Sequence, residues 1–407
     1  MGSSGAPLFS MLSRYSGSFG APDLYPAPRR ASPSGFPRAR GPLAGLVAAM
    51  AQSKPRTSVV RLDDVGDNAL LVILVRAPFS SHVAIRLVSK RLNGLMCSDE
   101  FREERIESGY AESGVLLVGG KKHAECWLWS KGAWSPIAAL SAPRNACPSL
   151  VLDGEMWVFG GCFDESTGEM SHSTVIYNPA ANRWRAGPDA CRDPRNCAVG
   201  VVDGEIVLAG GVNDAAMGTP RWLRSADAYH PDTGWKELPC MPKGGSLNNG
   251  CVIDGKLFVS TDRSLVVCDG KSWTERAKPF NISSQVCVVY GGKLWLIGGL
   301  SRHYAPSNEV HIYDPATNGW ATGPSLPDRG QRVEPDFNRE VAVEYEGSII
   351  YIGSGRALRL DGGVWLEQPM PPVPVNEQRG GRGRGRRDPL QRQEQVIAPC
   401  LQAIFFG

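Results

Sequence analysis

Hydrophobic positions along the chain follow two different periods. Between residues 65 and 101 apolar residues recur at spacings of three and four. Leu70, Leu71, Ile73 and Leu74 follow Asp67, a candidate N-cap, and Pro78 ends the turn, so a short amphipathic helix is expected there. A second helix starts near Ser80 or Ser81 and carries Ala84, Leu87, Val88, Leu92 and Leu95 along one face, weakened at its end by Asn93-Gly94. Two or three helices within residues 59–107 hide too little surface to bury all these side chains, which implies an external partner for the unit.

From Val115 the pattern becomes short β-like runs ending in glycine pairs, and it repeats. Asp153-Gly154-Glu-Met-Trp-Val-Phe-Gly160-Gly161 recurs as Asp203-Gly204-Glu-Ile-Val-Leu-Ala-Gly210-Gly211, as Asp254-Gly255-Lys-Leu-Phe-Val-Ser, as Gly291-Gly292-Lys-Leu-Trp-Leu-Ile-Gly298-Gly299 and as Glu346-Gly347-Ser-Ile-Ile-Tyr-Ile-Gly353. Each Asp-Gly or equivalent supplies the positive φ angles of a two-residue hairpin between apolar strands. Each unit then offers an aromatic or aliphatic residue followed by a tryptophan: Tyr177 with Trp184, Tyr229 with Trp235, Tyr313 with Trp320, and more weakly Trp129 with Trp134, Val267 with Trp273 and Leu358 with Trp365. Six tryptophans in register with six turns suit a radial array in which each unit packs a large side chain on its neighbour, giving a mainly β, six-bladed propeller over residues 112–370. The first unit lacks a first strand, and the run Val396 to Phe406 within residues 395–407 is expected to supply it and close the ring.

Charge is unevenly spread. Residues 1–58 carry a net +6, residues 373–407 a net +3 and the middle −6, which argues against a nucleic-acid-binding core. The Ser/Pro/Arg-rich segment 1–58 reads as a disordered tail, with organelle targeting as the alternative to a cytoplasmic or nuclear protein. The insertion 371–394 contains Arg379-Gly-Gly-Arg-Gly-Arg-Gly-Arg-Arg387; without interleaved aromatics it reads as a solvated loop with at most weak nucleic-acid contact. The eleven cysteines follow no metal-ligand spacing and read as reduced, buried small hydrophobes. No apolar run reaches the length of a membrane helix, so no membrane contact is expected.

Residues 65–101, with Val65-Gly-Asp-Asn-Ala-Leu-Leu-Val-Ile-Leu-Val-Arg-Ala-Pro78, Ile85-Arg-Leu-Val-Ser-Lys-Arg-Leu-Asn93 and Ser98-Asp-Glu-Phe101, resemble the F-box, with Gly66 and Leu92 where that motif usually has proline and tryptophan. The repeats resemble kelch. In this order the chain resembles the F-box/kelch-repeat family, from about residue 60 to 406. The resemblance implies a helical segment that binds a Skp-type adaptor of a cullin–RING ubiquitin ligase core, and a propeller that holds a protein for ubiquitination. Mapped here, Leu70, Leu71, Ile73, Leu74, Leu87, Val88 and Leu95 would form the helical unit and its docking face. The other reading is a kelch scaffold outside any ligase, its helices packing on the propeller.

Recognition residues concentrate on loops held by a rigid scaffold. The loops joining last to first strands repeat a polar pair: Arg144-Asn145, Arg195-Asn196, Asn248-Asn249 and Asn338-Arg339. Guanidinium groups there could take carboxylates of an acidic target, or could instead bond neighbouring carbonyls and hold the ring together. Trp222 and Tyr304, in the loops after glycine pairs, are candidate anchors.

Propellers also carry enzymes. The six histidines (82, 123, 172, 230, 303 and 311) follow no metal-ligand spacing, no acid stands four residues before any of them, and neither a nucleotide loop nor a nucleophile elbow occurs. The expectation is a non-catalytic protein without metal or cofactor.

Overall fold

The computed structural model describes residues 64–119, 124–144, 146–164, 169–192, 194–213, 221–244, 250–301, 305–328, 340–353, 356–370 and 400–406. The tail 1–58 and the insertion 371–394 lie outside them. The chain separates into two units, residues 1–73 and 74–407.

In the first unit, helix α1 (Asp67–Leu74) extends to the boundary. It starts on Gly66, whose carbonyl accepts from the N–H groups of Ala69 and Leu70 at 3.1 Å each, so Asp67 sits in the first turn rather than at the cap. A carboxylate there still complements the N-terminal end of the helix dipole. Leu70 and Leu71 are buried; Val72 and Ile73 are 50% and 63% exposed.

The second unit opens with α2 (Phe79–Val88), α3 (Lys90–Met96) and α4 (Asp99–Glu107). The single helix expected from Ser80 to Leu95 is therefore two. Ser89 adopts an extended conformation and its Oγ accepts from the Leu92 N–H at 3.1 Å, restarting the helix as an N-cap. Ser98 does the same for α4 through the Phe101 N–H at 3.2 Å. The break ends the expected common face: Leu92 and Met96 are buried, whereas Leu87 and Val88 stand 81% and 69% exposed.

Six four-stranded antiparallel sheets follow. Blade 1 consists of Cys400–Phe406, Glu112–Val118, Cys126–Ser130 and Ala133–Ile137. Blades 2 to 6 run from Ser149–Leu152 to Arg183–Ala186, Ala198–Val202 to Gly234–Leu238, Gly250–Ile253 to Trp273–Ala277, Val286–Tyr290 to Gly319–Thr322, and Val341–Tyr345 to Val364–Gln368. The six first strands touch one another in a closed circuit, which places them around the axis. The C-terminal strand fills the gap in blade 1 as expected, from Cys400 opposite Val118 to Phe406 opposite Glu112. Beginning and end of the propeller thus share one sheet, and neither leaves an open inner edge.

Each blade packs its tryptophan on the blade before it. Trp184 joins the cluster of Leu116, Val118 and Leu128 from blade 1, and Trp320 joins that of Phe258 and Leu265 from blade 4. Five of the six indoles also donate Nε1–H to a carbonyl just past the preceding blade's last strand or at its end: Trp134 to Pro369, Trp184 to Ala138, Trp273 to Pro239, Trp320 to Ala277 and Trp365 to Pro324, at 2.7–3.0 Å. Among the described residues Trp235 alone of the six finds no partner for its indole N–H. Two of the expected aromatic partners shift: the residues facing Trp273 and Trp365 are Cys268 and Leu360, not Val267 and Leu358. The strands' registers, set by their turns, decide which neighbour faces the indole.

The glycine pairs are where loops from both sides close in. A Cβ on Gly160 would stand 2.5 Å from Pro194 of the following loop, and one on Gly299 would stand 2.4 Å from the Ser283 carbonyl of the preceding loop. Both residues also hold positive φ angles, 52° and 89°.

Candidate functional site

Two surfaces could carry recognition: the helices that precede the propeller, and the rim where the loops between blades meet the loops after the glycine pairs.

Within the second unit the helices are locked to the start of the propeller. Arg105 of α4 is fully buried and donates to three carbonyls: Nη1 to Val75 at 2.6 Å and Ala77 at 2.7 Å, and Nη2 to Tyr110 at 2.7 Å. It thereby ties the turn at residues 75–77, which leads into α2, to the segment entering blade 1. Phe79 packs against the cluster shared by blades 1 and 2. His82 lies between the rings of Phe79 and Phe101, centroids 5.3 and 5.6 Å away, with Nε2 3.0 Å from the Ala77 carbonyl. Burial lowers its pKa to about 4, the contact with the Ala77 carbonyl opposing and the Arg105 charge assisting. Sequence reading singled out neither residue for this role. An arginine among Glu103, Glu104 and Glu107 looks like a solvated helix charge, and only the three convergent carbonyls reveal the joint.

The residues expected to dock a partner separate by burial. Leu70, Leu71 and Leu74 are buried, Leu95 is half-buried, and Ile73, Leu87 and Val88 are exposed. The first three are closed to solvent and cannot present a docking face as they stand. The exposed three are open to a partner.

On the rim, Arg144 is buried and its guanidinium reaches carbonyls, not solvent: Nη1 donates to Gly160 O at 3.0 Å and Ser173 O at 2.6 Å, and Nη2 to Ser173 Oγ at 2.6 Å. Arg195 is likewise buried. Asn196 takes a positive φ of 51° and donates its N–H to Ala146 O at 3.0 Å. These positions knit one loop to the next. Lys278, which the sequence did not flag, does the same with donations to Thr261 O at 2.9 Å, Ile282 O at 2.7 Å and Ser260 Oγ at 3.3 Å. Burial brings its pKa down to about 8, opposed by the nearby Asp262 carboxylate. His311, whose pKa burial also lowers, stacks on Phe280 beside it. Trp222 stands 42% exposed on a ribbon of Val212–Asn213 and Arg221–Trp222 between the second and third strands of blade 3. Asn145, Asn248, Arg339 and Tyr304 lie outside the described residues.

Among the described residues no three His, Cys, Asp or Glu side chains converge as metal ligands, and no helix is long and apolar enough to cross a membrane. The geometry offers hydrogen-bonding loops and exposed apolar side chains on a rigid support, which is the equipment of a binding protein.

Known proteins match along the same divisions. The family model described as the kelch motif matches residues 143–190, 194–242 and 283–327, which correspond to blades 2, 3 and 5. These are the blades that keep a tyrosine facing the tryptophan. A kelch-like protein, terF, of Aspergillus terreus is 24% identical over 60% of this chain, and the match spans only 57% of that protein. An F-box/kelch-repeat protein of Arabidopsis thaliana is 27% identical over 75% of this chain and 78% of its own length. A kelch repeat and BTB domain-containing protein of Danio rerio is 27% identical over 44% of this chain and 33% of its own. The solved structure of YjhT, 15% identical, superimposes with a TM-score of 0.50 over 64% of this chain and 97% of that one, a likeness of fold alone. Kelch motifs lie on three of its blades and F-box/kelch-repeat proteins recur among its relatives, so the likeness supports an F-box/kelch-repeat assignment for this chain.

Proposed function

We propose that the protein is a non-catalytic substrate adaptor of a cullin–RING ubiquitin ligase: its helices dock a Skp-type adaptor and its propeller holds a protein target. The observation that carries this reading is the pair Leu87 and Val88 at the end of α2, 81% and 69% exposed on a small helical segment ahead of a kelch propeller. Large aliphatic side chains this open on so small a unit cost hydrophobic free energy unless a partner covers them. Ile73, 63% exposed on α1, is of the same kind. The printed names of several relatives pair an F-box with kelch repeats, which supports the adaptor role. The target would meet the loop rim, with Trp222 as one anchor. The buried, carbonyl-bonded Arg144 shapes that rim without presenting its charge.

The test is a pull-down of the full chain with a purified Skp-type adaptor. Wild type binds, and the double variant Leu87→Asp, Val88→Asp loses at least tenfold in affinity while its circular dichroism and melting temperature stay unchanged. Charges on Leu71 or Leu74 would be uninformative, since those side chains are buried. If wild type itself fails to bind, the ligase reading falls and a kelch interaction scaffold takes its place.

A further inference from the structure

Two thiols meet across the seam between blades 4 and 5. Cys251 is the second residue of the first strand of blade 4, and Cys287 the second residue of the first strand of blade 5. Cys251 pairs with Phe258 and points forward to blade 5; Cys287 pairs with Leu296 and points back to blade 4. Both lie in one apolar cluster with Leu265, Leu294 and Tyr313. Their sulfurs are 3.0 Å apart, which is only about 1 Å longer than the bond they could form. Cys287 is buried and Cys251 half-buried, so one of the pair is accessible to a small reagent.

We propose that Cys251 and Cys287 form an oxidisable dithiol, which a hydroperoxide converts to a disulfide that staples blade 4 to blade 5 and a thiol reductant reopens. The accessible Cys251, as thiolate, attacks a peroxide oxygen. The O–O bond breaks, a sulfenic acid forms on Cys251, and the departing hydroxide takes up a proton as the first water. The Cys287 sulfur then attacks the Cys251 sulfur. An S–S bond forms as the S–O bond breaks, and the oxygen leaves with the Cys287 proton as the second water. Both sulfurs are oxidised, and two electrons pass to the peroxide. The contact with Cys251 and burial hold the Cys287 thiol well above its ordinary range, which suits the resolving partner rather than the attacking one.

The strand that carries Cys287 emerges from the loop 278–285 on the candidate binding rim. A disulfide at its root ties that loop to the first strand of blade 4, so oxidation stiffens one sector of the rim. The geometry holds whether or not the helices dock a ligase adaptor.

The experiment treats the reduced full chain with a small excess of hydrogen peroxide, quenches with iodoacetamide, digests without reductant and analyses peptides by mass spectrometry. A cross-linked pair containing Cys251 and Cys287 is expected, abolished by dithiothreitol, together with a rise of several degrees in melting temperature that Cys251→Ala and Cys287→Ala each eliminate. The wild-type peptide map decides the matter even if a variant folds poorly. Recovery of both residues as separate alkylated thiols, or of Cys251 as an irreversible sulfinic acid with no cross-link, overturns the proposal. So does a disulfide that instead joins either residue to exposed Cys97, Cys191 or Cys240.

Discussion

At the scale of single residues, buried polar groups control the segment that enters the propeller. Arg105 and His82 share the Ala77 carbonyl region, one as a fixed cation and one as a neutral ring. Burial holds His82 at about 4 against an ordinary 6.5, so the native state carries fewer protons than the unfolded chain whenever the pH lies below 6.5. Its neutral form therefore contributes fully above pH 6.5, and that contribution is lost as the pH falls towards 4. The lost stability amounts to about 3 kcal/mol across this window. Urea unfolding followed by circular dichroism at pH 7 and pH 4.5 should show wild type losing about 2 kcal/mol more than His82→Gln, which has no titrating ring. Equal losses would mean that the ring is solvated in the native state. None of this was legible in the sequence, where His82 is only the third polar residue of a helix start, after Ser80 and Ser81; burial between two phenylalanines is a product of how α2 and α4 pack.

At the scale of elements, the recurrent joint is a blade's tryptophan set against the blade before it. Most of the stabilisation is apolar area, and the indole hydrogen bond adds about 1 kcal/mol where it is made. Trp184 makes it with Ala138 at 2.7 Å, while Trp235 makes none among the described residues. Trp184→Phe should therefore cost about 1 kcal/mol more than Trp235→Phe in denaturant unfolding, both losing similar ring area. Equal costs would assign the joint to packing alone. The tryptophans, the hairpin turns and the glycine pairs were all readable, because local φ requirements and period-two patterning impose those residue types directly. The residues facing Trp273 and Trp365 were misplaced by one and two positions, because neither turn carries the tyrosine that marks the register elsewhere. The break at Ser89 was missed for a related reason: apolar spacing continues across it, and a serine cap in mid-pattern reads as an ordinary helical residue.

At the scale of the whole molecule, ring closure depends on the last strand. Cys400–Phe406 pairs along the full length of Glu112–Val118, and its first-strand position touches the inner strands of blades 2 and 6. A chain ending at residue 399 would leave blade 1 with three strands and expose an inner edge rich in valine and leucine. Such a truncation should lower the melting temperature by several degrees and give concentration-dependent aggregates in light scattering; an unchanged monomer with unchanged melting would show that the ring holds without its closing strand. The sequence by itself determined the number of blades, the hairpins between their strands, the helical segment ahead of them and the origin of the closing strand, since each follows from short-range patterning or from a missing partner in a repeat. Only the tertiary structure decided which candidate side chains are available. It turned Arg144 inward to Ser173 and left Leu87 in solvent, and it brought Cys251 to Cys287 across 36 residues of chain. Burial and contact between distant segments are properties of how blades and helices stack, and no local period encodes them.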